Sequence, residues 1–190
     1  MKFLKTIAVL PIFLIVLAIA GQAHAATYPC IAGSPIVVDT TWTTADSPYV
    51  ISCSLTVDVG VALTIQPGVV VKFEAGDRLN IDGTLTADGT PAQQIIFTSI
   101  KDDEYGGDTN GDGNSSSPLR GDWDYLDFTS TGINSLLDNV IVRFGGGPTS
   151  TYRNIYIRTS SLTISKSTVE NRYLYKWRLA FHNRKYNQEQ

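Results

Sequence analysis

Asp108-Thr109-Asn110-Gly111-Asp112-Gly113 places oxygen-bearing side chains at alternate positions of a glycine-rich turn. Oxygens so spaced converge on one point, which is how a hard cation such as Ca2+ is held. The run matches the first half of an EF-hand loop. The second half fails, because the twelfth position from Asp108 is Leu119 where a bidentate acid belongs, and no helical periodicity flanks the loop. A helix-free site needs further oxygens, and Asp102, Asp103, Glu104 and Asp122 are the nearest in sequence. Eight acids between Asp102 and Asp127 face only Lys101 and Arg120, so a divalent ion would relieve their repulsion. Two readings follow. The favoured one is a weak calcium site of Asp108, Asn110 and Asp112 with Asp102 and Asp103. The other is a solvated acidic loop closed by Asx-turns.

Catalytic chemistry is sparse. The histidines are His24 and His182, both near the chain ends, so the body of the chain offers no Ser-His-Asp or Cys-His arrangement and no histidine zinc site. A glycosidase needs only an acid and a second carboxylate, and Asp122, Asp124 and Asp127 are the candidates. Solvation or calcium coordination is the stronger reading of them. A lyase would want a base beside calcium, with Lys101, Arg120 or Arg143 nearest. Trp123, Tyr125 and Phe144 are candidates for a sugar-stacking surface, against the more common role of such residues in a core.

The elements that must hold these residues come from internal repetition. Leu55-Thr56-Val57 recurs as Leu79-Asn80-Ile81, Leu63-Thr64-Ile65 as Leu85-Thr86-Ala87, and Val71-Lys72-Phe73 as Ile95-Ile96-Phe97, at nearly equal intervals along the chain. Each piece alternates at period two between glycine or proline turns, the signature of short strands. Three strands repeated in one order at a common period point to an all-β solenoid, a short right-handed parallel β-helix, in which each turn completes the core of the last. Alternation sends Leu55, Val57, Leu63, Ile65, Val71, Phe73, Leu79, Ile81, Leu85, Ala87, Ile95 and Phe97 inward, with Thr56, Thr64, Lys72, Asn80, Thr86 and Ile96 outward. The Asp- and Gly-rich segment 101–121 interrupts the repeat as a loop thrown out from one corner. Strands resume at Trp123–Phe128, Val140–Phe144, Ile155–Ile157 and Leu162–Ile164.

Residues 1–25 carry the marks of a cleaved export signal helix: Lys2 and Lys5, an apolar run from Ile7 to Ala20, and the small-x-small site Ala23-His24-Ala25. The mature chain would begin at Ala26 and form one domain, at the cell surface or beyond. With Lys2 and Lys5 gone from the 15 basic residues, the 18 acids outnumber the remainder, which excludes nucleic acid as a natural partner. At 43% hydrophobic and 17% charged residues, disorder is also excluded. Cys30 and Cys53 would reach an oxidising compartment, where a bridge and two free thiols both fit the sequence. Segment 26–52 reads as an N-terminal cap or first coil, and 53–171 as the repeats.

Five segments carry a resemblance: VALTIQPGVVVKFE at 61–74, LNIDGTLTADGTP at 79–91, IIFTSIKDDE at 95–104, GDTNGDGN at 107–114 and GDWDYLDFT at 121–129. In this order they resemble the N-terminal part of bacterial secreted proteins with right-handed parallel β-helix repeats, in the pectin-lyase-like superfamily. The resemblance covers roughly 37–171. It implies the fold and extracellular placement, and it spans both adhesin-like and polysaccharide-processing proteins. The expected function is a structural or binding module at the cell surface, with extracellular polysaccharide or cell-surface components as partners. The alternative is a fragment of a lyase or glycoside hydrolase acting on acidic polysaccharide. From residue 172 to 190 the style changes to basic and aromatic residues without glycine, which suggests a truncated or frame-shifted end, with a helical cap as the alternative.

Overall fold

The computed structural model describes residues 26–30, 35–147, 153–158, 161–170 and 174–176. The expected signal segment 1–25 and the basic-aromatic tail, apart from Leu174–Lys176, lie outside the described residues. The chain is all-β. Its strands are β1 (Thr40–Trp42), β2 (Tyr49–Ile51), β3 (Ser54–Val57), β4 (Ala62–Ile65), β5 (Val70–Phe73), β6 (Arg78–Ile81), β7 (Thr84–Asp88), β8 (Ile95–Ser99), β9 (Leu126–Phe128), β10 (Ser135–Asp138), β11 (Val140–Val142), β12 (Ile155–Ile157), β13 (Leu162–Ser165), β14 (Thr168–Val169) and β15 (Leu174–Lys176). A 3-10 turn at Thr44–Asp46 separates β1 from β2. Among the described residues no helix is long and apolar enough to cross a membrane.

The strands form three parallel five-stranded sheets, and each strand pairs with the third strand before and after it. The first sheet is β1-β4-β7-β10-β13, the second β14-β11-β8-β5-β2, the third β15-β12-β9-β6-β3. The chain thus visits the sheets in rotation, the arrangement that a parallel β-helix requires. Pairing continues beyond position 171, since β15 aligns Leu174 with Ile155.

Register converts the sequence alternation into a core. In the third sheet Leu55 aligns with Leu79, Leu126 and Ile155, and Val57 with Ile81, Phe128 and Ile157. In the first sheet Trp42, Ile65, Ala87, Leu137 and Ile164 form one such column. All twelve residues expected inward are buried. One pairing differs from the repeat. Val71 aligns with Phe97, not Ile95, so the second sheet is offset by one alternation period from the register that the repeat suggests. A slip of one full period leaves every side chain on its own face, so the inward set is unchanged. At the corner between the third and first sheets, a Cβ on Gly83 would collide with the carbonyl oxygens of Asp58 and Val61, so only glycine fits where the chain layers are in contact.

Two residues expected outward, Lys72 and Ile96, lie on the outer face of the second sheet yet are 0% and 3% exposed. Ile96 joins Val70 and Ile141 in a small apolar cluster outside the main core, with Tyr105 of the inserted loop packed against it. Strand structure near Trp123 begins only at Leu126, so Trp123 and Asp124 lie ahead of β9. Their carbonyls accept hydrogen bonds from the Gly147 and Gly146 amides at 3.0 and 2.7 Å, and the Trp123 indole is fully buried against Phe73, ring centroids 4.1 Å apart. The expected aromatic surface therefore loses Trp123 to the core.

Before β1, Thr27 bridges to Tyr49 and Ile36 to Val57, so this segment extends the second and third sheets by a partial layer. Cys30 and Cys53 form a disulfide, Cα–Cα 6.0 Å, at a sequence separation of 23, which ties that layer to the first full turn. Closing a loop of that length restricts the unfolded chain by about 3 kcal/mol. Cys30→Ser with Cys53→Ser should lower unfolding stability by about that amount, read as a lower urea midpoint with the folded spectrum retained.

Candidate functional site

Two surfaces gather chemistry, one under the inserted loop and one on the outer face of the third sheet. On the second sheet, the start of the loop is fastened by cations from other turns of the chain. Lys72 donates from Nζ to the Gly107 carbonyl at 2.5 Å. Burial pushes its pKa down, opposed by the charges of Asp102, Asp103 and Asp108. Arg143 reaches from just beyond β11 to Glu104 at 2.8 Å, Asp102 at 3.5 Å and Glu170 at 3.7 Å. Its guanidinium also lies over the Phe144 and Tyr105 rings, 4.5 and 5.3 Å from their centroids. Asp102, 1% exposed, accepts the Thr98 hydroxyl at 2.5 Å. A shallow open recess of about 290 Å³ lies beside Tyr105, floored by Val70 and Ile96.

These contacts divide the expected calcium ligands. Asp102 belongs to the Arg143 cluster, while Asp103 keeps Oδ1 buried without a hydrogen-bond partner. Asp108, Asn110 and Asp112 come together at the far end of the loop and bind one another. Asp108 accepts the Asp112 amide at 3.1 Å and the Gly113 amide at 2.9 Å, and Asp112 Oδ2 accepts Asn110 Nδ2 at 2.8 Å and the Ser116 hydroxyl at 2.5 Å. The Ser116 bond is the main cause of the lowered Asp112 pKa. Among the described residues no group of three or more His, Cys, Asp or Glu side chains is placed to hold an ion. The local excess of acid is also smaller in space than in sequence. Asp102, Asp122, Asp124 and Asp127 pair with Arg143, Lys101, Arg78 and Arg158 respectively.

On the third sheet, register stacks Thr56, Asn80, Asp127 and Tyr156 into one outward row. Asn80 Nδ2 donates to Thr56 Oγ1 at 3.2 Å. Asp127 is held by Arg158, with Nε donating to Oδ1 at 3.1 Å and an Nη to Oδ2 at 2.5 Å. Tyr125 meets Tyr156 edge to face at 6.1 Å. Arg78 lies over Tyr125 and bonds Asp124 at 3.3 Å, while Arg153 and Arg158 lie over Tyr156. Thr56, Asn80, Tyr125 and Tyr156 are half-buried, and Asp127 is buried beneath the exposed Arg158. The strip combines tyrosine rings overlaid by guanidinium groups with amide and hydroxyl groups and paired charges. Burial pushes the Asp127 carboxyl up, and the Arg158 hydrogen bonds and charge only partly offset it. Bound on both oxygens, this carboxylate is poorly placed to carry protons, and Asp122 and Asp124 are likewise tied to Lys101 and Arg78.

Of the surface aromatics considered from sequence, Tyr125 alone lies on this strip; Phe144 is buried beneath Arg143. Asn80, Arg78, Tyr156 and Arg158 carry the rest of it. Their signal was the alternation that marks Thr56 and Asn80 as outward. Carried through the longer intervals from Leu79 to Leu126 and on to Ile155, it lines up Asp127 and Tyr156.

No known family profile matches the chain, and no solved structure does. Over 79 residues, 42% of its length, the chain is 35% identical to Protein bark beetle of Drosophila melanogaster. It spans about 2% of the length of that relative.

An acid whose folded pKa lies above its unfolded value binds its proton more tightly in the native state. The stability that Asp127 contributes is therefore present below the ordinary carboxylate value of about 4 and is lost as pH rises through the raised value. Arg158→Ala removes the opposing charge and raises the carboxyl further. The variant should lose stability more steeply than the parent as pH rises above about 4, the ordinary carboxylate value, as followed by urea midpoints at each pH.

Proposed function

We propose that this chain is an exported right-handed parallel β-helix module that binds an extended polysaccharide at the cell surface through the outer face of its third sheet. The observation that carries the reading is the row Thr56, Asn80, Asp127 and Tyr156, flanked by Arg78, Tyr125 and Arg158. Successive strands of a sheet lie about 4.8 Å apart, so a polymer lying across them meets the half-buried Thr56, Asn80 and Tyr156 and, above the buried Asp127, its exposed partner Arg158. Tyr125 and Tyr156 supply apolar ring surface with polar tips, the combination suited to sugar rings. Arginines already paired with carboxylates favour weak recognition of hydroxyl and acidic groups over tight anion capture. The pairing of Asp127 with Arg158 supports a binding role above hydrolysis or elimination. Binding without reducing-end or unsaturated products is therefore expected.

Tyr156→Ala and Tyr125→Ala should each weaken retention in affinity electrophoresis through an acidic polysaccharide gel by roughly five- to tenfold, the loss of about 1 kcal/mol of ring contact. Thr64→Ala, on an exposed position of the first sheet, should leave it unchanged. Equal retention by all three variants and the parent would overturn the reading.

The same proposal includes Ca2+ at the tip of the loop, where Asp108, Asn110 and Asp112 present oxygens to one region and Asp112 keeps Oδ1 buried without a partner. These residues would supply side-chain and turn carbonyl oxygens, and the ion would stiffen the loop. Millimolar Ca2+ should then raise the melting temperature by a few degrees, and Asp108→Ala with Asp112→Ala should abolish the rise. An unchanged melting temperature of the parent with calcium or chelator would remove the ion from the proposal.

A further inference from the structure

The start of the inserted loop is fastened to the second sheet by Lys72, Tyr105 and Arg143, and its remaining stretch holds none of the core. That stretch contains Asn114-Ser115-Ser116, the one Asn-x-Ser/Thr triplet with a non-proline centre in the chain. We infer that Asn114 is an acceptor for N-linked oligosaccharide. The triplet by itself is only a pattern, and its surroundings are what make it usable. Asn114 is exposed, and its side chain makes no hydrogen bond among the described residues, so the amide is free to enter a transferase. The Ser115 amide donates to the Asp112 carbonyl at 3.3 Å, a turn that carries Asn114 on its outer corner. Gly111 and Gly113 hold φ of +70° and +67°, so backbone that other residues adopt poorly lets the chain double back there. The Ser116 hydroxyl, the third element of the acceptor, bonds Asp112 and Asn110 at 2.5 and 3.2 Å. Of those partners Asn110 is exposed and Asp112 half-buried.

In the transfer, the Asn114 amide nitrogen bonds to C1 of an oligosaccharide carried on a lipid diphosphate. The C1–O bond to the diphosphate breaks, the diphosphate leaves with the electron pair, and the amide proton passes to a carboxylate of the transferase. The inference rests on the export reading, because the transferase and its lipid-linked donor work on the exported side of the membrane.

The test expresses the full chain in cells that carry a lipid-linked oligosaccharide and its transferase, with fractionation, intact mass and peptide mapping. One glycan per exported chain is expected, on the peptide containing Asn114. It should vanish in Asn114→Gln and Ser116→Ala and persist in Ser116→Thr. Because Asn114 is exposed and unbonded, Asn114→Gln folds normally, and an unchanged melting temperature verifies it. An exported chain that stays unmodified overturns the acceptor assignment and leaves export standing. A chain retained inside overturns export. In that event the purified folded chain, incubated with transferase and lipid-linked donor beside a control peptide, decides Asn114 separately: modification supports the assignment and its absence overturns it.

Discussion

In the column Leu55, Leu79, Leu126 and Ile155, each side chain covers the one below it, with strands about 4.8 Å apart. Apolar columns recur in the other two sheets, Trp42, Ile65, Ala87, Leu137 and Ile164 in the first and Tyr49, Val71, Phe97, Val142 and Val169 in the second. A single turn of chain has too little apolar surface to bury alone, so each one is stable only against its neighbours. Parallel register is the constraint that makes this work. It must bring apolar residue onto apolar residue although the chain between equivalent positions is short from Ile155 to Leu174 and more than twice as long from Ala87 to Leu137. Variation in length is absorbed at the corners, and the strands stay aligned. The largest insertion, between β8 and β9, can therefore grow without disturbing the columns on either side.

The same register organises polar chemistry on the outside. Side chains facing outward from one sheet are stacked as strictly as those facing inward, so Thr56, Asn80, Asp127 and Tyr156 become neighbours although each comes from a different turn of the chain. Ion pairs follow the stacking as well. Arg158 finds Asp127 one turn below it, and Arg143 draws Asp102 and Glu104 of one turn together with Glu170 of another. Those near-surface pairs contribute modest stability individually. Their larger effect is positional: Arg143 and Lys72 hold the inserted loop over an apolar patch that would otherwise face water.

Much of this architecture was legible as sequence because period-two alternation needs no knowledge of partners. The triplet repeat marked strands, faces and the inserted loop. It misjudged one register, Val71 against Phe97, and the error was harmless to the core because a slip of one full period preserves the face. It did not mark β10, where Ser135–Asp138 lies between Asn134 and Asn139 at φ of +53° and +49°, so the turns there are built by asparagine in place of glycine. Nor did it indicate that Lys72 and Ile96, outward by pattern, would be covered. Outward orientation is local, whereas exposure depends on what another segment lays across it.

Composition and alternation by themselves determined that this chain is all-β and repetitive, which residues line its core, and where the acidic loop leaves it. Those properties are set by each residue's own hydrophobicity and by the alternating geometry of a strand. Only the tertiary structure decided the charge environment of that loop and the make-up of the third-sheet strip. Counted along the chain, eight acids stood beside two cations; in space, Asp102, Asp124 and Asp127 met arginines from other turns. Coulombic partners are chosen by distance through space, and distance between turns depends on register and corner length, which no window of sequence contains.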